Sequence, residues 1–190
     1  MTTPTSKPAP GFVHKIPEGD DRQRQVCESC GYVAYENPKV VVGSVAVWDD
    51  KILLCRRAID PRKGFWTLPA GYLELHETAA EGAKREAWEE AHARIEIDQL
   101  LAVYSIPRIS QIQLIYRARL LSPEVSAGLE TETLDLFTWD RIPWDDIAFP
   151  SVHWALGHYR ELRGQPVFAP RGNPPPEHGD PAGPEPRGRG

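Results

Sequence analysis

Residues 71–93 read GYLELHETAAEGAKREAWEEAHA, and the spacing in this segment predicts a helix from about Thr78 to about residue 91. Thr78, with Glu81 three residues later, has the form of a capping box, which marks a helix start. One side of the helix carries only small residues, which allow it to lie close to a sheet. These residues are Ala80, Ala83, Ala87 and Ala91. The segment therefore predicts a closely packed helix that holds its polar side chains in place.

Three carboxylates share the polar side of this helix. At about 100° per residue, Glu86, Glu89 and Glu90 are neighbours at i, i+3 and i+4. Repulsion between like charges at this spacing costs a few tenths of a kcal/mol per pair, which a divalent cation would offset. Such oxygen ligands suit Mg²⁺ or Mn²⁺, ions that usually also coordinate substrate phosphates. The pattern favours a metal site for a phosphate compound over the alternative of a solvated Glu-rich surface.

The loop before the helix contains residues that fit the same site. Arg85 can reach Glu89 at i+4, or it can fold back toward Glu77 near the positive end of the helix dipole. The second pairing would fasten the loop from Gly71 to Glu77 onto the helix. Gly71 permits a tight turn whose carbonyl is one more candidate metal ligand.

The spacing of these residues resembles a known family motif. The segment is similar to the Nudix box, because it has Gly71, five residues, Glu77, seven residues and then Arg85-Glu86-x-x-Glu89-Glu90. Residues 66–71 also resemble the strand and loop that precede this box in the family. The resemblance implies an α/β (α+β) fold, with a mixed β-sheet sandwiched between helices, over residues 39–163. It also implies that water attacks a diphosphate with the help of metals on Glu86, Glu89 and Glu90. His92 departs from the motif, which has Gly there, and this puts the end of the helix in question.

The segments around the motif predict the rest of this domain. A β-branched, nearly continuous run and four further apolar stretches indicate strands, and helical spacing after them indicates a closing helix. The strands are expected at Val40–Val47, Ile52–Arg56, Leu100–Ile106, Ile112–Leu121 and Leu134–Trp139, and the helix at Val152–Leu162. Residues 1–10 and the Pro- and Gly-rich residues 164–190 are expected to be disordered tails. Residues 11–38 remain as a small appendage.

The appendage contains a Cys27-x-x-Cys30-Gly31 knuckle, which resembles the second half of a zinc ribbon fused to a subgroup of Nudix enzymes. A closed structural zinc site needs four ligands, and the first Cys pair of that ribbon is absent. His14 is one further candidate, so bound Zn²⁺ and a degenerate, metal-free knuckle both stay open. Cys55, within an apparent strand, is expected to be a small buried residue.

Several residues outside the helix are candidates for binding or catalysis. The resemblance places the general base either in the box or in a late loop, so the candidates are Glu86, Glu130 and Glu132. Arginine matches phosphate oxygens, although surface solubility explains the arginines equally well. Aromatic rings can stack on bases, but aromatics in and beside strands more often pack in the core. The candidates for substrate binding are Arg56, Arg57, Arg62, Trp66 and Tyr72, with Tyr104 and Tyr116 as further aromatics; His153 and His158 are expected at the surface.

Composition limits the class of partner. The net charge is −5 without a basic stripe, so no nucleic acid is expected, and no segment has the roughly 18 apolar residues of a membrane span. Three cysteines offer no disulfide framework, which favours a reducing, cytoplasmic location. The subgroup resemblance implies that FAD or ADP-ribose is cleaved to release AMP, and that a homodimer is possible. An NADH pyrophosphatase and a catalytically silent nucleotide-sensing module are the alternatives.

Overall fold

The structure is a computed structural model that describes residues 9–175. The chain divides into two compact units between Pro38 and Lys39. The parts of the expected tails at residues 1–8 and 176–190 lie outside the described residues. Within residues 9–175, no helix has both the length and the apolar character that crossing a membrane requires.

The first unit is a small antiparallel sheet with the strand order β1-β2-β3. Its strands are β1 (Phe12–Lys15), β2 (Arg24–Cys27) and β3 (Val33–Ala34). Asp20 organises the connection between β1 and β2, because its carboxylate accepts the backbone N–H of Asp21 at 2.7 Å and Nε–H of Arg24 at 2.9 Å. Strands of two to four residues are too short for an alternating pattern, so the sequence did not reveal them.

A seven-stranded mixed sheet forms the second unit. Its path is β10-β5-β4-β9-β8, with β6 paired to β5 and β7 paired to β4. Only the β4–β9 pairing among them is parallel. The strands are β4 (Lys39–Trp48), β5 (Lys51–Arg57), β6 (Trp66–Thr67), β7 (Ala70–Tyr72), β8 (Ile95–Ile106), β9 (Gln111–Leu120) and β10 (Thr131–Thr138); the helices are α1 (Ala79–Ala91) and α2 (Pro150–Leu162). The mixed sheet with helices confirms the expected fold class.

The two helices pack on separate apolar clusters of the sheet. Ile52 and Leu54 of β5 belong to the cluster that contains Leu156 of α2. Leu53 and Cys55 belong to the cluster that contains Ala87 and Ala91 of α1. Successive side chains of a strand point to opposite faces of the sheet, so the odd-numbered residues of β5 face α1. Cys55 is buried there, as the sequence predicted.

Strand β8 begins earlier than the sequence predicted. It starts at Ile95 rather than Leu100. Its register against β9 shifts between Ile97 and Gln99 and again between Leu100 and Ala102. Such irregularities interrupt the alternation of buried and exposed residues, which is the signal that marks a strand in sequence.

Residues 165–173, called the C-terminal strap below, lie along β8, although the sequence analysis expected a tail from Gly164 onward. The backbone N–H and carbonyl of Arg171 bond to Leu101 and Val103, both at 2.9 Å. Phe168 packs against the cluster under α2, and the Arg117 guanidinium lies 4.6 Å from its ring centroid. A single aromatic anchor among Pro and Gly residues is too weak a pattern to predict this docking.

The two histidines of α2 differ in environment. His153 is exposed, as expected, and stacks on Trp144. His158 is half-buried rather than at the surface, and its Nδ1 lies 2.8 Å from the hydroxyl of Tyr104. Tyr104 is fully buried, so it packs in the core and is not available to stack on a ligand.

Candidate active site

Arg85 ties the preceding loop to the acidic side of α1. Its Nε and Nη2 atoms donate to the two carboxylate oxygens of Glu77 at 3.0 and 2.8 Å, and Nη2 also donates to the carbonyl of Tyr72 at 2.9 Å. Its Nη1 donates to Glu86 at 2.7 Å and to Glu89 at 2.9 Å. The two pairings that the sequence left open therefore occur together. The Arg85 guanidinium lowers the pKa of Glu77 to about 2.

Both ends of α1 are set by local chemistry. Thr78 and Glu81 form the predicted capping box, with Glu81 Oε2 accepting the Thr78 backbone N–H at 2.8 Å. His92 ends the helix in the left-handed region, at φ 45° and ψ 30°, and its N–H donates to the carbonyls of Ala87 and Trp88. Glycine adopts this conformation without steric cost, which explains why Gly suits this position of the motif and why His92 still terminates the helix.

Two glycines let the loop and the sheet approach the helix closely. A Cβ atom at Gly71 would lie 2.4 Å from Oε1 of Glu86, and Gly71 itself pairs with Val42 of β4. A Cβ atom at Gly82 would lie 2.7 Å from Glu77 and 2.9 Å from the Val42 side chain. The sequence analysis did not select Gly82, although an isolated Gly inside a helical pattern often has a packing reason.

The three acids of the helix are not equivalent. Glu86 and Glu90 are only 8% and 7% exposed, whereas the Glu89 side chain is 54% exposed. Burial raises the pKa of Glu86 and, with the nearby charge of Glu86, raises the pKa of Glu90 to about 8. Over the described residues, no three His, Cys, Asp or Glu side chains converge as a complete metal site. The three carboxylates therefore share a helix side without forming a preassembled cluster.

The acidic side nevertheless fits a divalent cation. Oε2 of Glu90 is buried and has no hydrogen-bond partner. A buried carboxylate oxygen without a partner is costly, and a cation would compensate it. The Glu86 carboxylate lies directly beside Gly71, in the position that a Cβ atom there would need. Hard oxygen donors of this kind match Mg²⁺ or Mn²⁺.

The loop between β9 and β10 crosses the C-terminal end of α1. The backbone N–H of Gly128 donates to the carbonyl of Glu90 at 2.9 Å, and a Cβ atom at position 128 would lie 1.7 Å from the carbonyl oxygen of Glu89. This crossing sets Glu130 close enough to raise the pKa values of Glu86 and Glu90 by its charge. The sequence analysis missed Gly128, because its role depends on a contact between distant segments.

The remaining candidate for the general base is Glu132, and the candidate arginines lie on β5 or in the loop that follows it. Glu132 is 3.8 Å from Nε of Arg56, whose Nε also donates to the carbonyl of Gly64 at 2.7 Å. Arg57 occupies an odd position of β5, and its charge lowers the pKa of Glu90. Arg62 lies in the loop after β5 and stacks on Phe65, with 5.1 Å to the ring centroid. Among the three candidate arginines, Arg57 is thus the one whose charge acts on Glu90.

The aromatic candidates separate into core and surface residues. Trp66 makes an edge contact with Phe137 at 4.9 Å between ring centroids and packs against the core under α2. Tyr116 is partly buried, which raises its pKa. Tyr72 is 48% exposed, and the Lys39 ammonium lies 4.9 Å from its ring centroid. Tyr72 is therefore the exposed residue among the aromatic candidates.

The knuckle of the first unit supplies two sulfur atoms. Cys27 is half-buried and Cys30 is exposed, and both are free thiols. The Ser29 hydroxyl and neighbouring backbone N–H groups lower the pKa of Cys27 to about 7. His14 pairs with Gln25 in the sheet, and in the described part of the chain no third ligand joins the two cysteines. The residues present do not complete a closed four-ligand zinc site.

Two surface cavities lie away from the carboxylates. One, of about 150 Å³, lies between Asp50, Trp139 and Arg163. The other, of about 460 Å³, lies between Lys84, Trp88 and other residues beside α1. The acids of α1 line neither cavity.

Comparison with known families agrees with the fold. Residues 37–159 match the model of the NUDIX domain, and residues 9–36 match the model described as Nudix N-terminal, a zinc ribbon. The large mixed sheet with two helices is the fold of the NUDIX domain. The chain belongs to the NUDIX domain family, and it is a Nudix pyrophosphohydrolase.

Individual relatives support the same family. An ADP-ribose pyrophosphatase of Methanocaldococcus jannaschii is 33% identical, over 59% of this chain and 69% of that protein. A MutT-like protein of Streptomyces ambofaciens is 40% identical, but the match spans only 49% of its length. A solved NUDIX hydrolase from Nitrosomonas europaea is 48% identical, with a TM-score of 0.80, and the match covers 85% of this chain and 93% of that one.

Proposed function

We propose that this chain hydrolyses the diphosphate bond of ADP-ribose or a related nucleoside diphosphate derivative, such as FAD, and releases AMP. The observation that carries the proposal is the pair of buried acids Glu86 and Glu90, with one Glu90 oxygen unpartnered. A fold gains nothing from burying a carboxylate oxygen without a partner, so this oxygen favours a role in binding a cation. The similarity to an ADP-ribose pyrophosphatase supports the choice of substrate.

Mg²⁺ or Mn²⁺ would be held by Glu86, Glu89 and Glu90, with the Gly71 carbonyl as a further candidate ligand. When bound, the ion polarises the phosphoryl oxygens and makes a coordinated water more acidic. Arg85 keeps the carboxylates of Glu86 and Glu89 oriented through its two hydrogen bonds. Catalysis in such a site depends mainly on positioning and charge.

Among the residues near the ion, we assign proton transfer to Glu130. Glu86, the candidate base within the box, has one oxygen engaged by Arg85. Glu132 lies beside Arg56 instead. Glu130 is exposed, follows the Gly128 crossing and acts electrostatically on both buried acids. Its carboxylate would accept the proton of the attacking water.

An arginine guanidinium and an exposed aromatic ring would hold the substrate. Arg57 would bind a phosphate, because a guanidinium matches phosphate oxygens and this one lies near Glu90. The exposed ring of Tyr72 would stack on the base. Arg56 and Arg62 are further candidates; like Arg57, whose Nε donates to the Pro61 carbonyl at 2.8 Å, each contacts the loop between β5 and β6.

A side-by-side assay tests this proposal. The full-length protein is incubated with Mg²⁺ and ADP-ribose, FAD, NADH or nucleoside triphosphates, and the products are separated by chromatography. We expect AMP from ADP-ribose or FAD, and no turnover by Glu90→Gln, whereas Glu124→Gln, a change at an exposed loop acid, keeps full activity. Preferred cleavage of NADH would contradict the choice of ADP-ribose or FAD as the substrate and favour an NADH pyrophosphatase. Binding of these compounds without turnover would contradict the hydrolase and favour a nucleotide sensor.

A further inference from the structure

The CxxC turn of the first unit remains unexplained by the hydrolase. Cys27 ends β2 and Cys30 follows in the turn that leads to β3. The turn is closed by a hydrogen bond of 2.9 Å from the Gly31 N–H to the Cys27 carbonyl, and Gly31 has the φ of 74° that this closure needs. The Cys27 N–H also donates to the carbonyl of Tyr32 at 2.8 Å, which fixes the turn on the sheet.

Zinc does not account for this turn. A closed structural site takes four ligands, and the chain has three cysteines, of which Cys55 is buried in the other unit. Within residues 9–175, no third His, Cys, Asp or Glu side chain joins Cys27 and Cys30. The chain thus keeps two adjacent thiols without the ligands that would hold a metal between them.

The two thiols have the geometry for reaction with each other. Residues three apart in a closed turn have Cα atoms within about 7 Å, which falls in the range that a disulfide spans. Sγ of Cys27 lies 3.0 Å from the Ser29 hydroxyl, a contact that stabilises a thiolate on this sulfur. Cys30 is exposed and Cys27 is half-buried, so a small oxidant can reach them.

We propose that Cys27 and Cys30 form a reversible redox pair that reacts with low-molecular-weight disulfides such as oxidised glutathione. The Cys27 thiolate attacks one sulfur of the oxidant, forms a mixed disulfide and releases one glutathione thiolate. The Cys30 thiol then loses its proton and attacks the Cys27 sulfur of the mixed disulfide, which releases the second glutathione thiolate. The protein loses two protons and two electrons, and the oxidant is reduced to two thiols. The oxidised turn is locked by a Cys27–Cys30 disulfide.

A glutathione redox titration tests the pair in the full-length protein. Samples equilibrated at a series of reduced-to-oxidised glutathione ratios are quenched with N-ethylmaleimide and mapped by mass spectrometry, with zinc content measured in parallel. We expect the peptide that contains both cysteines to lose two hydrogens and all alkylation at oxidising ratios, and to recover both with dithiothreitol. Cys55 serves as the internal control, because the thiol is buried and should be alkylated only after unfolding.

A variant separates the two steps. In Cys30→Ser, no thiol resolves the first adduct, so Cys27 should accumulate a mixed disulfide with glutathione. Wild-type protein whose two thiols stay alkylatable at every ratio would overturn the proposal. Stoichiometric zinc that protects both thiols would also overturn it, as would a stable glutathione adduct on the wild-type chain. Hydrolase activity is measured on the same samples and is expected to stay unchanged, since the pair lies outside the catalytic unit.

Discussion

The carboxylate of Glu86 occupies the space that a side chain at position 71 would need. A Cβ atom on Gly71 would lie 2.4 to 2.5 Å from the carboxylate atoms of Glu86. The motif glycine is therefore required for close approach of strand β7 to helix α1, in addition to any role of its carbonyl. The glycine that begins the Nudix box therefore lies in direct contact with Glu86, one of the acids of its helix.

Gly71→Ala should displace the Glu86 carboxylate and weaken divalent-cation binding by about 10- to 100-fold, the range seen when residues that support metal ligands are changed. The matched control is Gly157→Ala in α2, where a Cβ atom meets nothing within 4 Å and alanine favours the helix. Mn²⁺ titration and turnover of both variants check the prediction. Equal activity of the two proteins would show that the contact has no effect on the site.

Glu130→Gln should lower kcat by about 10²- to 10⁴-fold, because the amide cannot accept the proton of the attacking water. Mn²⁺ affinity should remain close to that of the wild type. Glu132→Gln is the control, since Glu132 lies beside Arg56 and should change kcat only a few-fold. Steady-state kinetics with ADP-ribose measure both. A larger loss in Glu132→Gln would transfer the role of base to that residue.

Removal of the C-terminal strap after Gly164 should destabilise the second unit. It eliminates two backbone hydrogen bonds of Arg171 at 2.9 Å and the packing of Phe168. At about 1 kcal/mol per hydrogen bond, the loss is roughly 2 kcal/mol or more, which lowers Tm by roughly 4–8 °C. Truncation after Pro175 preserves these contacts and is the control in thermal unfolding. An unchanged Tm after truncation at Gly164 would mean that the strap adds no stability.

Acid should destabilise the contact between α2 and β8 through His158. Burial lowers the pKa of His158 below its ordinary value of 6.5, so the fold favours the neutral ring. That stability is fully present above pH 6.5 and is lost as the pH falls toward the lower pKa of the folded protein. Thermal unfolding at pH 7.5 and 5.5 should therefore give a smaller fall in Tm for His158→Gln than for the wild type. Identical falls would exclude this histidine as the source.

The sequence predicted the parts of the structure that depend on local spacing. The capping box at Thr78, the small side of α1 and the burial of Cys55 each follow from residues within one element. The bulged start of β8 was missed, because its two register shifts break the alternation on which the prediction relied.

Contacts between distant segments explain most of what the sequence could not predict. Gly128 approaches the Glu89 carbonyl from a loop almost forty residues away, and nothing around Gly128 indicates this. The strap along β8 depends in the same way on a partner strand far away in the chain. The unequal burial of Glu86, Glu89 and Glu90 is also invisible to helical spacing, since it depends on where the sheet lies.

The account depends on a divalent cation that binds the buried acids of α1, and Mn²⁺ titration followed by electron paramagnetic resonance tests this most directly. The comparison is between the wild type and Glu90→Gln, with circular dichroism as the measure of folding. Replacing the buried carboxyl group, which has an unpartnered oxygen, with a neutral amide should leave the variant folded and at least as stable without metal. We predict that Glu90→Gln binds Mn²⁺ at least tenfold more weakly than the wild type. Equal Mn²⁺ affinity of the two folded proteins would contradict the account.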